Sequence, residues 1–248
     1  MDPVYGRSGA DILIGTSRGR SLVDSEFLRF GADTIPFVAK YKKGGKLSQL
    51  LGMAVGEIKK FPLSKREDVH VYFLAGMPDT THVKHSWDWS YQEVIMVGTV
   101  EEVTSRVKDT IEHVSEIVKS HGAKPCFCTI SPMHFQRWNT VRLNDHKVTT
   151  HLKHQDQYHS MQMAHQETCT ILNQFIYETN RENDMETPKI AEVVFKSQHA
   201  RRPPRFKHYR LTDGVHPDDC VATGWTHEIV KTMLNNAVRR RHSYKFSA

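Results

Sequence analysis

Late in the sequence, Asp213-Gly214-Val215-His216-Pro217 sets a carboxylate three residues before an imidazole. Gly214 permits a tight bend between them, and Pro217 keeps regular structure from running through. Such a bend swings the Asp213 carboxylate onto the Nδ1 side of the His216 ring. The tautomer is then fixed, and Nε2 is left to take a proton from a nucleophile. Such a pair acts only where a serine lies within its reach, and Ser17 follows the apolar run Ile12-Leu13-Ile14-Gly15. Each residue also has a plainer reading: Ser17 as the cap of a following helix, and Asp213 and His216 as part of a surface loop.

Residues so far apart work together only if the elements between them bring them to one place. Residues 11–17 read as a short buried strand stopped by Gly15. Further strands are expected at 35–39, where Pro36 suggests an edge or a strand start, at 69–75, at 125–130 and at 190–195. Apolar residues recur at helical spacing over 21–30, 47–58, 100–118, 154–182 and 221–238. Residues 80–98, with Trp87 and Trp89, read as an excursion over one end of the sheet, and 133–152 as irregular. This alternation predicts a three-layer α/β/α sandwich around a five-stranded, mostly parallel sheet of flavodoxin-like type. A flexible arm (1–10) would precede a single domain (11–248). In such sheets the working crevice lies outside the carboxyl ends of the strands. The loops expected there are Gly15-Thr16-Ser17, Gly44-Gly45, Gly76-Met77-Pro78-Asp79 and the Asp213-to-His216 turn.

With 248 residues, 38% apolar and 25% charged, the chain has enough material for one large α/β core. No apolar run is long enough to cross a bilayer, and the first residues do not read as a signal peptide. Cys126, Cys128, Cys169 and Cys220 do not suggest a disulfide framework. The expectation is an intracellular protein, cytoplasmic or nuclear. A net charge of +6 leaves room for an anionic partner.

The order of these motifs resembles the SGNH (GDSL) hydrolases, esterases and acyl hydrolases on a flavodoxin-like fold, over nearly the whole chain. Ile14-Gly15-Thr16-Ser17 stands where that family has Gly-Asp-Ser, and Asp213-x-x-His216 matches its C-terminal block. The resemblance implies Ser17 as nucleophile, His216 as base and Asp213 as orienting acid, acting on an ester without a cofactor. It implies an oxyanion hole from the amides of Ser17 and Gly45, with Gly44 as the alternative, and a site lined by Gly76, Pro78 and Asp79. Two departures stand out. Thr16 replaces the acid before the serine, and Pro78 replaces an asparagine that would donate to the oxyanion. Proline has no donor to offer. A binding module that has lost its chemistry is therefore the second reading. Some animal retroelements carry domains of this family, which suits a basic chain with no recognisable signal peptide.

Lys196, Arg201, Arg202, Arg205, Lys207 and Arg210 cluster ahead of the Asp213 turn, interleaved with Phe206 and Tyr209. Cations beside aromatics suit nucleic acid or another polyanion, and this segment is expected to rim the mouth of the Ser17 site. His146, His151, His154, His159 and His165 form a dense histidine region. His151 and His154 have a spacing that can bind zinc, but no third ligand is fixed, so no metal is expected.

Overall fold

The computed structural model describes residues 10–19, 37–85, 92–145, 154–195 and 206–245. Its centre is a four-stranded parallel sheet in the order β2-β1-β3-β6, built from β1 (Asp11–Gly15), β2 (Phe37–Tyr41), β3 (His70–Leu74) and β6 (Lys124–Phe127). Every residue of β1 and β3 is buried. Helices cover both faces of the sheet, which is why these strands read as continuous apolar runs and not as alternating ones.

Successive side chains of a strand point to opposite faces. Ile12, Ile14, Val71 and Phe73 pack with helices α1 (Leu47–Ile58), α3 (Val100–Ser120) and α5 (Tyr158–Glu182). Leu13, Tyr72 and Leu74 point the other way, against α6 (Ile190–Phe195) and α7 (Asp219–Lys245). The outcome is the expected three-layer sandwich. α3 shows how local sequence sets an element. Thr99 and Glu102 form a capping box at its start, and Val103, Val107, Ile111, Val114 and Val118 make its buried stripe.

The expected fifth strand, 190–195, is instead the helix α6. Ile190, Ala191 and Val194 are buried at helical spacing, whereas a central strand would have to bury Glu192. Just before this helix, the Pro188 carbonyl takes the Thr129 N–H at 3.1 Å. Thr129 Oγ1 then accepts the Ala191 N–H at 2.9 Å and so caps the helix start. Asparagine side chains in α5 and just past its end occupy the place a fifth strand would have filled. The Asn180 amide accepts from Phe127 N–H and donates to Phe127 C=O, both at 2.8 Å. Asn173 does the same for Ile130, and Asn183 donates to the Pro125 carbonyl. Pro125, with no N–H to give, sits on this outer strand.

Two further features lie above the carboxyl ends of the strands, and the second departs from expectation. The excursion expected over 80–98 takes the form of an antiparallel hairpin of β4 (His82–His85) and β5 (Gln92–Ile95), entered from a short α2 (Met77–Thr80). The stretch expected to be irregular holds α4 (Phe135–Asp145). Asn139 on α4 bonds both the N–H and the C=O of Val94, fastening the hairpin over the site. The helix expected at 21–30 lies outside the described residues.

Candidate active site

β1 delivers Ser17, and the sheet holds the chain rigid up to that point. The Gly15 carbonyl accepts from Lys42 N–H at 2.8 Å, and Thr16 N–H donates to the Leu74 carbonyl at 3.1 Å. The backbone then breaks into a 3₁₀ turn, Ser17–Gly19, in which Thr16 Oγ1 accepts the Arg18 N–H at 3.4 Å. Thr16 thus still supplies an acceptor at the position where the family has an acid. Arg18 turns inward. Its guanidinium donates to the Ser131 carbonyl at 2.8 Å and the Pro132 carbonyl at 3.5 Å, and lies 5.7 Å from the Trp225 ring. Burial pulls its pKa down to about 10, so it remains a cation at neutral pH.

The acid and base arrive on a self-closed loop. Leu211 and Pro217 form an antiparallel bridge, and Thr212 N–H donates to the His216 carbonyl at 2.8 Å. Gly214 adopts φ +88°, and a Cβ there would fall 2.6 Å from the His134 carbonyl oxygen and 2.9 Å from the Trp138 nitrogen. Only glycine fits both that backbone and that space. Asp213 Oδ1 accepts the N–H groups of Val215 and His216 at 2.9 and 2.8 Å. Asp213 Oδ2 lies 2.7 Å from His216 Nδ1. A carboxylate there calls for the proton on Nδ1, which leaves Nε2 as an acceptor facing Ser17 Oγ at 3.2 Å. Burial works against the charged carboxylate, but the bonds from His216 and Val215 outweigh it and hold its pKa down to about 2.

A cleft of about 590 Å³ opens over Ser17 and His216, a size typical of small-molecule sites. Met77, Pro78, Val94, Met133 and Val215 give it apolar walls. The hairpin contributes His82, Val83 and Gln92, and α4 contributes Trp138 and Arg142. The Trp138 ring lies 5.8 Å from that of His216. Sequence reasoning missed this contribution of α4, although Phe135, Trp138, Asn139 and Arg142 are spaced as one helical face. Arg18, hidden beside the serine as an ordinary turn cation, was missed as well.

The other expected site residues divide. Gly44 lines the cleft, whereas Gly45 is buried behind it with its N–H donated to the Lys42 carbonyl at 3.1 Å. Pro78 lines the cleft, and Gly76 is the residue before α2. Asp79 points away from the chemistry. Both its oxygens accept the Leu47 N–H, at 3.1 and 3.2 Å, tying α2 to the first turn of α1. Burial raises its pKa to about 6, against the lowering effect of that bond. Of the basic segment, Lys196, Arg201, Arg202 and Arg205 lie outside the described residues. Lys207 and Arg210 are not part of the cleft lining, and Arg210 meets Asp218 at 3.4 Å. Among the described residues, the cations that line it are Lys43, Lys46 and Arg142. In the histidine region, His154 bonds Glu93 at 2.7 Å and the buried His165 bonds Thr80 at 2.9 Å. His159 is exposed, and His146 and His151 lie outside the described residues.

No family model matches the sequence, and no curated protein matches it. Solved structures do. A GDSL-like lipase of Bacteroides thetaiotaomicron superposes with a TM-score of 0.56 at 12% identity, covering 95% of this chain and 90% of its own. A member of the lipolytic G-D-S-L family from Veillonella parvula gives 0.53 at 10% identity, covering 90% and 97%. The fold is that of the SGNH hydrolases. A variant of an acetyl-xylooligosaccharide esterase from Geobacillus also shares it, at a TM-score of 0.50 and 10% identity, over 92% of this chain and 95% of that one. At these identities the likeness is one of architecture. In the SGNH fold of this chain, Ser17, His216 and the cleft all lie beyond the carboxyl ends of β1 and β3, in the crevice where an open α/β sheet binds its ligands. No helix among the described residues is long and apolar enough to cross a membrane.

Proposed function

We propose that the protein is a serine ester hydrolase of SGNH type. One observation carries the reading. An unbroken hydrogen-bond relay runs from Asp213 to His216 to Ser17, at 2.7 and 3.2 Å, and opens into a cleft. His216 Nε2 takes the Ser17 proton as Oγ attacks the ester carbonyl, and Asp213 stabilises the imidazolium that results. The tetrahedral oxyanion is held by the amides of Ser17 and Gly44. Gly44 is preferred over Gly45, whose N–H is already engaged. Collapse expels the alkoxide, which leaves as the alcohol with the proton from His216. Water, activated by the same histidine, then releases the acid and restores Ser17.

Without an asparagine at position 78, the hole lacks one donor. Loss of such a donor costs on the order of 10²–10³ in turnover, so slow hydrolysis is expected. The test compares phenyl acetate hydrolysis by the wild type and by Ser17→Ala. We expect the variant to lose at least about 10³-fold, and an aryl phosphonate to label wild type at Ser17 only. Equal rates in the two proteins would reject the hydrolase and leave a binding module on this fold.

A further inference from the structure

Among the described residues, every one of fixed charge that lines the cleft is a cation: Lys43, Lys46 and Arg142. Among the described residues, none of the three has a carboxylate within ion-pair distance. The Asp79 carboxylate feels Lys46 while bonding the start of α1. Lys43 and Lys46 are exposed, and Arg142 is half-buried. Arg142 has an aromatic partner, its guanidinium lying over the Trp138 ring at 4.4 Å from the centre. Stacking leaves the N–H edge of a guanidinium open, in the fork that matches a carboxylate or phosphate. The same indole contacts the His216 ring at 5.8 Å, so one side chain separates this cation from the general base.

We infer that the ester taken by this cleft carries an anionic group, a carboxylate or a phosphate, on its alcohol half, with Arg142 as the specificity-determining residue. The inference rests on reading Ser17 as the nucleophile and deepens it. His216 gives its proton to the departing alcohol, so that half of the substrate passes the His216 ring towards Trp138 and Arg142. The apolar walls at Met77, Val94 and Met133 suit the uncharged remainder. Lys43 and Lys46, beside Gly44, add a positive field that raises the local concentration of an anion and fades with salt.

The experiment compares 4-acetoxybenzoate with its methyl ester, which is neutral and otherwise similar. The expected ratio of kcat/KM is about 10-fold in favour of the acid at low salt, narrowing at high ionic strength. Arg142→Gln should bring the ratio near one, and Arg142→Lys should restore part of it. 4-Acetoxyphenyl phosphate is the second arm, and its ratio to the benzoate tells whether carboxylate or phosphate is preferred. Binding of 4-acetoxybenzoate and its methyl ester to Ser17→Ala, followed by tryptophan fluorescence, provides a readout that needs no turnover. Tighter binding of the acid, abolished by adding Arg142→Gln, supports Arg142 as the group that recognises the anion, and separates that result from a failure of hydrolysis. Equal binding of the two probes, or a ratio indifferent to salt and to Arg142, overturns the inference.

Discussion

Asp213 is held as a carboxylate by the groups around it. Its pKa is held at about 2, below the ordinary carboxylate value of 3.8, so it is ionised throughout the neutral range. Because the folded pKa is lowered, its contribution to stability is complete above the unfolded value and is lost as pH falls towards 2. An acid limb in kcat/KM above pH 4 would therefore not belong to Asp213. Asp213→Asn should lower kcat by about 10³–10⁴, because an amide no longer demands the proton on Nδ1. Measured with phenyl acetate, a loss smaller than ten-fold would mean that Asp213 does not orient His216. At this scale much was legible. Ser17, Asp213 and His216 are of distinctive types in distinctive local settings. The part played by Arg18 was not, because its meaning comes from Ser131, Pro132 and Trp225, all distant in sequence.

At the scale of elements, the site depends on two loops that tolerate little change. Gly214 approaches the backbone of α4 so closely that any side chain must push the Asp213–His216 loop away. Gly214→Ala should cost activity more than Asp79→Asn does, with a native circular dichroism spectrum. An unfolded variant would show instead that this loop is needed for the core. Asp79 joins α2 to α1, and burial raises its pKa from 3.8 to about 6. A raised folded value means stability is full below the unfolded pKa and is lost as pH climbs through 6. Between pH 5 and pH 8 this group should withdraw about 1 to 2 kcal/mol. Asn at position 79 can still accept from Leu47 and has no charge to bury. Denaturation midpoints at the two pH values should thus differ less in Asp79→Asn than in the wild type. Elements with a strong periodic signature, such as α3 and β3, were readable in advance. Residues 190–195 were not, since Ile, Val and Phe favour a strand locally and the helix is set by the Thr129 cap and by burial against α7.

For the whole molecule, the layered α/β plan followed from the alternation of strands and helices, and the crevice position followed from that plan. The cleft walls did not, because the hairpin and α4 come from stretches without a strong pattern and are fixed by Asn139 bonding across to Val94. Cations also line the cleft from segments that the sequence pattern did not single out, for a similar reason. Nearness in sequence to Asp213 said nothing about Arg142, which arrives from another side of the cleft.

The asparagines in α5 and just past its end also bear on how molecules behave in company. A strand at the border of a sheet exposes a ladder that another chain can extend, and proteins that leave one open tend to add copies edge to edge. Here Asn180 and Asn183 consume those groups on β6 and Asn173 does so at Ile130 just beyond it, so the sheet is closed to growth on that side without a fifth strand. Asn180→Leu would keep the bulk and strip the amide, leaving Phe127 N–H and C=O unmatched. The variant should lose about 2 to 3 kcal/mol and, when gently warmed, associate at concentrations where the wild type does not. Light scattering during a slow temperature ramp would reveal this. Identical onset temperatures for the two proteins would mean that side-chain amides do not guard this border.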